Sequence, residues 1–257
     1  MSDRPKKDVA SIQAAAEAGD AAAMNQLGTC YSYGKDGVPQ DDKRAFELFQ
    51  RAAELGNADA VNNLGLCYRN GKGVPADDKK SAELCQRAAN MGCANAMFLL
   101  GRYYHTGTGV EKDEKKAIKL YQLAVLKGES SAMYILGVCY HSGSGVKKNV
   151  KKAVELYQRS VDLGNADAMY ALGRCYSIGE GVPEDDEKAL ELCKRAALLH
   201  NPDATYNLAA RLLRGVGVSQ DIPKAIALFK MAADLGSEEA VDALKIVGIS
   251  YTPKSTK

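Results

Sequence analysis

The chain has 257 residues, 46% of them hydrophobic and 26% charged, and a formal net charge of +2. This is ordinary soluble composition with apolar surface enough for a substantial core. The near-balanced charge argues against a nucleic-acid or membrane-surface footprint, and no run of about 18 apolar residues is present to cross a bilayer. The first residues, MSDRPKKDVASIQAAAEAG, carry charges but no apolar stretch, so no secretory signal is read there.

In chain order, residues 1–8 read as an N-terminal tail. Residues 9–18 read as a lone second helix, because Ile12, Ala15, Ala16 and Gly19 repeat the later series Phe49, Ala52, Ala53 and Gly56. Six two-helix repeats follow, at 20–56, 57–92, 93–128, 129–164, 165–200 and 201–236. Their closing position holds Gly56, Gly92, Gly128, Gly164, His200 and Gly236, one every 36 residues. The first repeat is one residue longer, since Lys35-Asp36-Gly37 stands where the second has Lys72-Gly73. Residues 237–248 read as a lone first helix, with Ala240 and Leu244 in register and Lys245 where a Gly is expected. Residues 249–257 form a C-terminal tail whose polar end, from Thr252, is expected to fray. Self-similarity at this period is the mark of a stacked-repeat protein with a distributed core.

Within each repeat the first helix carries Ala-x-x-x-Leu-Gly-x-x-Tyr, as in Ala60, Leu64, Gly65 and Tyr68, spacings that keep these residues on one helical face. Gly inside a helix costs about 1 kcal/mol relative to Ala. Its return at Gly28, Gly65, Gly101, Gly137 and Gly173 predicts that another helix approaches too closely there for a Cβ. A Gly-x-Gly-Val turn follows, at Gly71-Gly73-Val74 and its equivalents, with Gly supplying the positive φ that lets the chain leave a helix. Asp41, Asp77, Asp113, Asn149, Asp185 and Asp221 then stand as N-caps of the second helices. Those helices read Ala-x-x-Leu-(aromatic or Cys)-x-x-Ala. The Gly-x-Gly turns lie between helices and recur in every repeat, so they are not nucleotide-binding loops, which need a preceding strand.

This pattern resembles the Sel1-like repeat family, relatives of tetratricopeptide repeats with a longer inter-helix turn. The resemblance covers about residues 9–248. It implies an all-α, right-handed α-α superhelix (solenoid) of six repeats between terminal half-repeats. It also implies a non-enzymatic scaffold or adaptor that binds a protein or peptide partner, with no catalytic residues and no cofactor. A cysteine-rich secreted branch of the family has inter-helix disulfides and β-lactam-related activity, so a β-lactam hydrolase-like enzyme is the alternative. Cys85 and Cys93 have a span similar to that branch's pairs but stand about four residues too early in the repeat.

Cys30, Cys67, Cys139 and Cys175 share one repeat position and Cys85 and Cys193 another, which suggests small buried thiols rather than ligands. Together with the missing signal they point to a reducing, cytoplasmic setting. His105 and His141 also share a position, but no third metal ligand is predictable beside them. Lys112, Lys115, Lys116 and Lys119, and Lys147, Lys148, Lys151 and Lys152, make two basic segments that are either solvated surface or a patch for an acidic partner.

The face of the first helix opposite its packing stripe matches the positions that line the concave groove in tetratricopeptide relatives. The expected partner-binding residues there are Asn62, Arg69, Phe98, Arg102, His105, Tyr134, His141, Tyr170, Arg174 and Tyr206. Arg and Asn suit peptide backbone or carboxylate, and Tyr supplies rigid contact area. The aromatic members are equally open to burial between repeats. No metal, nucleic acid or membrane span is expected, and the chain is expected to be a monomer.

Overall fold

A computed structural model describes residues 9–254. The expected N-terminal tail, 1–8, and the last three residues of the C-terminal tail lie outside the described residues. Fourteen helices are present among them. They are α1 (Val9–Glu17), α2 (Ala21–Tyr33), α3 (Asp42–Glu54), α4 (Ala58–Asn70), α5 (Asp78–Asn90), α6 (Ala94–Thr106) and α7 (Glu114–Leu126), then α8 (Ser130–Ser142), α9 (Val150–Asp162), α10 (Ala166–Ile178), α11 (Asp186–Leu198), α12 (Pro202–Arg214), α13 (Ile222–Asp234) and α14 (Glu238–Ile246). No strand occurs among the described residues. The chain divides into two compact units, Met1–Glu129 and Ser130–Lys257. In each, consecutive helices pack on one another, α1 to α7 in the first and α8 to α14 in the second. The all-α solenoid-type repeat expected from the periodicity is what each unit contains.

Local chemistry sets the helix boundaries. All six expected caps on the second helices are formed. Asp41, Asp77, Asp113, Asn149, Asp185 and Asp221 each accept the backbone N–H three residues on, at 2.9–3.0 Å, which satisfies one orphan donor of the first turn. The first helices use the same device where the sequence reading looked only for packing. Asn57, Asn165 and Asn201 accept from Ala60, Ala168 and Ala204 at 2.8 Å, and Asp20 accepts from Ala22 and Ala23. Most repeats close on a left-handed Gly. In the fifth, His200 itself takes φ 60°, so a side-chain-bearing residue occupies a Gly conformation.

The in-helix glycines sit where helices nearly touch. A Cβ on Gly101 would lie 2.6 Å from the Tyr121 ring, and one on Gly137 would lie 2.6 Å from the Tyr157 ring. Gly28 meets Phe49 at 2.7 Å, while Gly65 and Gly173 meet backbone carbonyls, of Ser81 and Ala189, at 3.3 Å. In two turns the second Gly has a further reason that positive φ alone did not reveal. Cβ atoms on Gly73 and Gly109 would collide with the carbonyls of Asp42 and Asp78, at the start of the preceding repeat's second helix. Around these contacts run columns of fully buried Ala, such as Ala60, Ala96, Ala132, Ala168 and Ala204, which allow helix axes to approach at the short end of the usual 8–10 Å range.

The end of the second unit departs from the expected fraying. The Tyr251 hydroxyl donates to both carboxylate oxygens of Asp234 at 2.9 Å, and the Lys254 N–H donates to the same group at 2.8 Å. Residues 251–254 are thus tied back to the last residue of α13.

Candidate interaction surface on the first helices

In the first unit the expected surface residues have three fates. Arg69 and Arg102 are exposed. The Arg69 guanidinium holds Asp78 at 2.7 Å and lies 5.6 Å from the Tyr103 ring centroid. Arg102 lies over Phe98, which is itself half-buried against Tyr121 with ring centroids 6.1 Å apart. His105 is half-buried. Asn62 is not on the open face: it is 4% exposed, and its Oδ1 has no hydrogen-bond partner among the described residues. Arg69, Arg102, Leu66, Asn70, Leu99 and Tyr103 line one well of about 290 Å³ between α4 and α6.

The second unit gathers more of them. Tyr134 meets Tyr157 at a tilt with ring centroids 6.1 Å apart, and Tyr206 meets Phe229 likewise at 5.6 Å. Each is half-buried. His141 places Nε2 3.1 Å from Glu180 Oε2, an ion pair when the imidazole is protonated. The Tyr170 hydroxyl accepts from Asn207 Nδ2 at 3.0 Å, which pins the ring from the next first helix. Arg174 is exposed and enters no ion pair among the described residues. Tyr134, His141, Tyr170, Arg174 and Glu180 line a well of about 310 Å³ between α8 and α10. Tyr170 and Arg174 also border a second, of about 200 Å³, between α10 and α12, closed by Cys193, Asn207 and Arg211.

Sequence reasoning missed Tyr103, Glu180, Asn207 and Arg211. The signal for Tyr103 and Arg211 was present: both stand at the repeat position that is Cys30, Cys67, Cys139 and Cys175 elsewhere. The reason is a volume exchange with the preceding second helix. Where that helix carries a ring, the next first helix carries Cys, as with Tyr157 and Cys175, which share one core cluster. Where it carries Cys, the next first helix supplies bulk. Tyr103, 5% exposed, reaches over Cys85 to share a hydrogen bond with Ser81 at 3.0 Å, and Arg211 lies beside Cys193.

None of the seven cysteines is in a disulfide, and all are buried. Burial pushes the Cys67 and Cys85 thiols up to about 11 and raises Cys30, Cys93, Cys175 and Cys193 as well, because a thiolate is poorly solvated there. Desolvation likewise raises the Tyr134 and Tyr170 phenols, so both remain neutral hydrogen-bonding groups. Among the described residues no group of three or more His, Cys, Asp or Glu is disposed to hold a metal ion, and no helix is long and apolar enough to cross a membrane. Four of the eight lysines of the basic segments are internally engaged: Lys112 pairs with Glu114, Lys116 with Asp113, and Lys148 with Glu180, while Lys152 donates to the Tyr140 hydroxyl.

The Sel1 repeat profile matches residues 21–57, 58–93, 94–129, 130–165, 166–201 and 202–237, six contiguous copies. Among solved structures, a Sel1 repeat protein from Oxalobacter formigenes is 35% identical. It covers 88% of this chain and 98% of its own, with a TM-score of 0.78. The c5321 protein of uropathogenic Escherichia coli, described as a protective antigen with the same repeat fold, is 32% identical with a TM-score of 0.72. The match covers 93% of this chain and 51% of that one. Immunity protein Pa5087 of Pseudomonas aeruginosa is 20% identical over 84% of this chain and 81% of its own, with a TM-score of 0.60, a likeness of fold alone. No curated protein matches.

Proposed function

The chain belongs to the Sel1 repeat family, whose repeats mediate protein interactions, and on that premise we propose that it is a non-enzymatic scaffold that binds an extended peptide or a partner helix on the open face of its first helices. The observation that carries this reading is the Tyr170–Arg174 pair. A ring pinned by Asn207 and an uncommitted guanidinium stand between two adjoining wells of about 310 and 200 Å³. Rigid Tyr and Arg anchors beside pockets are where interface energy concentrates, and a side chain already held in place loses less entropy on binding. Arg69 and Arg102 over the α4–α6 well support the same reading in the first unit. A scaffold of this kind needs no activated nucleophile, in keeping with thiols that burial holds protonated. We place it in the cytoplasm as a monomer, where seven buried thiols would stay reduced.

The test compares proteins captured from a lysate of the source cell by the wild-type chain and by Tyr170→Ala/Arg174→Glu, alongside melting temperatures. Partners held by the wild type should be lost from the variant, with Tyr170→Ala alone costing about 2 kcal/mol or more of affinity. Capture unchanged in a variant that is still folded sinks the proposal.

A further inference from the structure

Five of the six repeats share one device. The Tyr that ends Leu-Gly-x-x-Tyr lies under a cation from the next helix. Arg44 covers Tyr31, Lys80 covers Tyr68, Lys116 covers Tyr104, Lys152 covers Tyr140 and Lys188 covers Tyr176, at 4.4–5.6 Å from the ring centroids. Tyr68 also meets Phe46 of α3 edge-on at 5.7 Å, so its ring is wedged between α3 and α5. A second plug crosses the same gap, where Arg87 of α5 donates to the Ala53 carbonyl of α3 at 3.2 Å.

The sixth repeat has neither the ring nor the arginine, the latter absent also from the third repeat, at Leu123. Leu212 stands where the others have Tyr, and Met231 stands where Arg87 and three other arginines stand. Two rim positions are apolar as well. Leu198 of the fifth repeat stands where the others have Glu54, Asn90, Leu126, Asp162 and Asp234, and Ile222 stands where they have Asp42, Asp78, Glu114, Val150 and Asp186. Single apolar residues occur at three of these positions elsewhere, as Leu123, Leu126 and Val150, but here all four converge on one place. They line a cavity of about 1060 Å³ in the trough between α11 and α13, floored by α12, at the upper end of the size range of ligand sites. Leu198 is 78% and Ile222 47% exposed, apolar surface where most of the other repeats carry a polar residue. Lys194, Lys224, His200 and Asp221 stand at its rim. The Asp221 carboxylate is committed to capping α13 at Lys224 N–H, 3.0 Å away. Lys224, the equivalent of the ring-covering cations, has no ring beneath it among the described residues.

We propose that this trough is a second binding site, apart from the first-helix face, for a partner segment that inserts an aromatic side chain with a carboxylate beside it. The aromatic group restores the ring that Leu212 lacks, beneath Lys224. The carboxylate meets the two ammonium groups at the rim. Aliphatic walls with a charged edge suit such an anchor, since a buried ring contributes most of its contact through area and its remainder through a cation above the face.

The probe is a displayed library of short random peptides, selected on the full chain and depleted on Leu212→Tyr, which refills the trough with the array's own ring. The chain contains no Trp, so the fluorescence of a Trp-bearing selected peptide reports binding without background. Selected peptides should share an aromatic residue with an acidic neighbour. They should bind Leu212→Tyr and the rim variant Ile222→Arg at least tenfold more weakly, about 1.4 kcal/mol, and bind Tyr170→Ala as they bind the wild type. Ile222 is at the surface, so Ile222→Arg keeps the test open should Leu212→Tyr fold poorly. The proposal is overturned if no peptide distinguishes the wild type from these two variants, if the selected peptides share no aromatic residue, or if Tyr170→Ala weakens them equally.

Discussion

The fourth and fifth repeats are neighbours built from nearly the same parts, and they solve one packing problem in opposite ways. In α9 the ring of Tyr157 fills the interior beneath Gly137, and the following first helix answers with the small Cys175. In α11 the same position is Cys193, the helices meet at the Ala189 carbonyl instead of at a ring, and the following first helix answers with Arg211. The fourth repeat is therefore filled from its own second helix, and its well of about 310 Å³ is walled by the Tyr157 ring. The well of about 200 Å³ in the fifth reaches Cys193 and Arg211 instead. Small differences in residue volume, spread over two repeats, decide which side chains wall each well.

The comparison breaks most severely at the ring. Tyr157 is 2% exposed, so Tyr157→Ala should cost about 3–5 kcal/mol. Cys193→Ala removes one sulfur atom and should cost about 1 kcal/mol, near the centre of the range for single substitutions. Urea denaturation of both variants checks the gap; equal losses would mean that Tyr157 is not the plug.

The volume exchange gives a sharper test. Cys193→Tyr alone should overpack by about 1–3 kcal/mol. Combined with Arg211→Cys it reproduces the fourth repeat's arrangement, and a double-mutant cycle should return a favourable coupling of about 1 kcal/mol or more. Strict additivity would dissolve the link between the two positions.

Next come the glycines. Gly137→Ala drives a Cβ against the Tyr157 ring at 2.6 Å, whereas at Gly173 the contacts are 3.3 Å to the Ala189 carbonyl and 3.4 Å to Leu192 Cβ. Gly137→Ala should lose about 1–3 kcal/mol. Gly173→Ala should come out near neutral, since the gain in helix propensity of about 1 kcal/mol offsets the tighter contact. Thermal melts that rank them the other way would mean that the ring yields more easily than the backbone.

The closing residues of the same two repeats supply a gain of stability. Gly164 and His200 both hold positive φ, at 83° and 60°. His200→Gly should stabilise by about 1 kcal/mol, the strain that a side chain brings to a left-handed conformation, while Gly164→His should lose a similar amount.

The smallest effect is alkaline. The Cys67 and Cys85 thiols are raised in the folded chain, from 9.0 to about 11. A raised thiol favours the folded state below its unfolded value, and that contribution is lost as pH climbs through the folded one. Melting temperature should therefore decline between pH 9 and 11, and alkylation of the native thiols at pH 8 should be far slower than in urea. Native thiols that react as fast as unfolded ones would contradict their burial.

The sequence by itself determined what depends on chain-local chemistry repeated six times. The 36-residue register, the Asp and Asn caps at Asp41 through Asp221, and the in-helix glycines were all legible, because a cap or a turn is specified by residues a few positions apart. The face carrying Arg102, Tyr170 and Arg174 could be drawn from helical spacing alone. Only the tertiary structure decided which members of that face are available. Asn62 is buried although its spacing matches that of Tyr134 and Tyr170, and Tyr134 shares its ring with Tyr157. It also decided that Cys85 and Tyr103, eighteen residues apart, fill one space, and that Leu212 and Met231 leave another open. The reason is that close packing is a sum over neighbours. Whether a side chain is core, wall or vacancy depends on the volume contributed by helices far along the chain, which no local pattern contains.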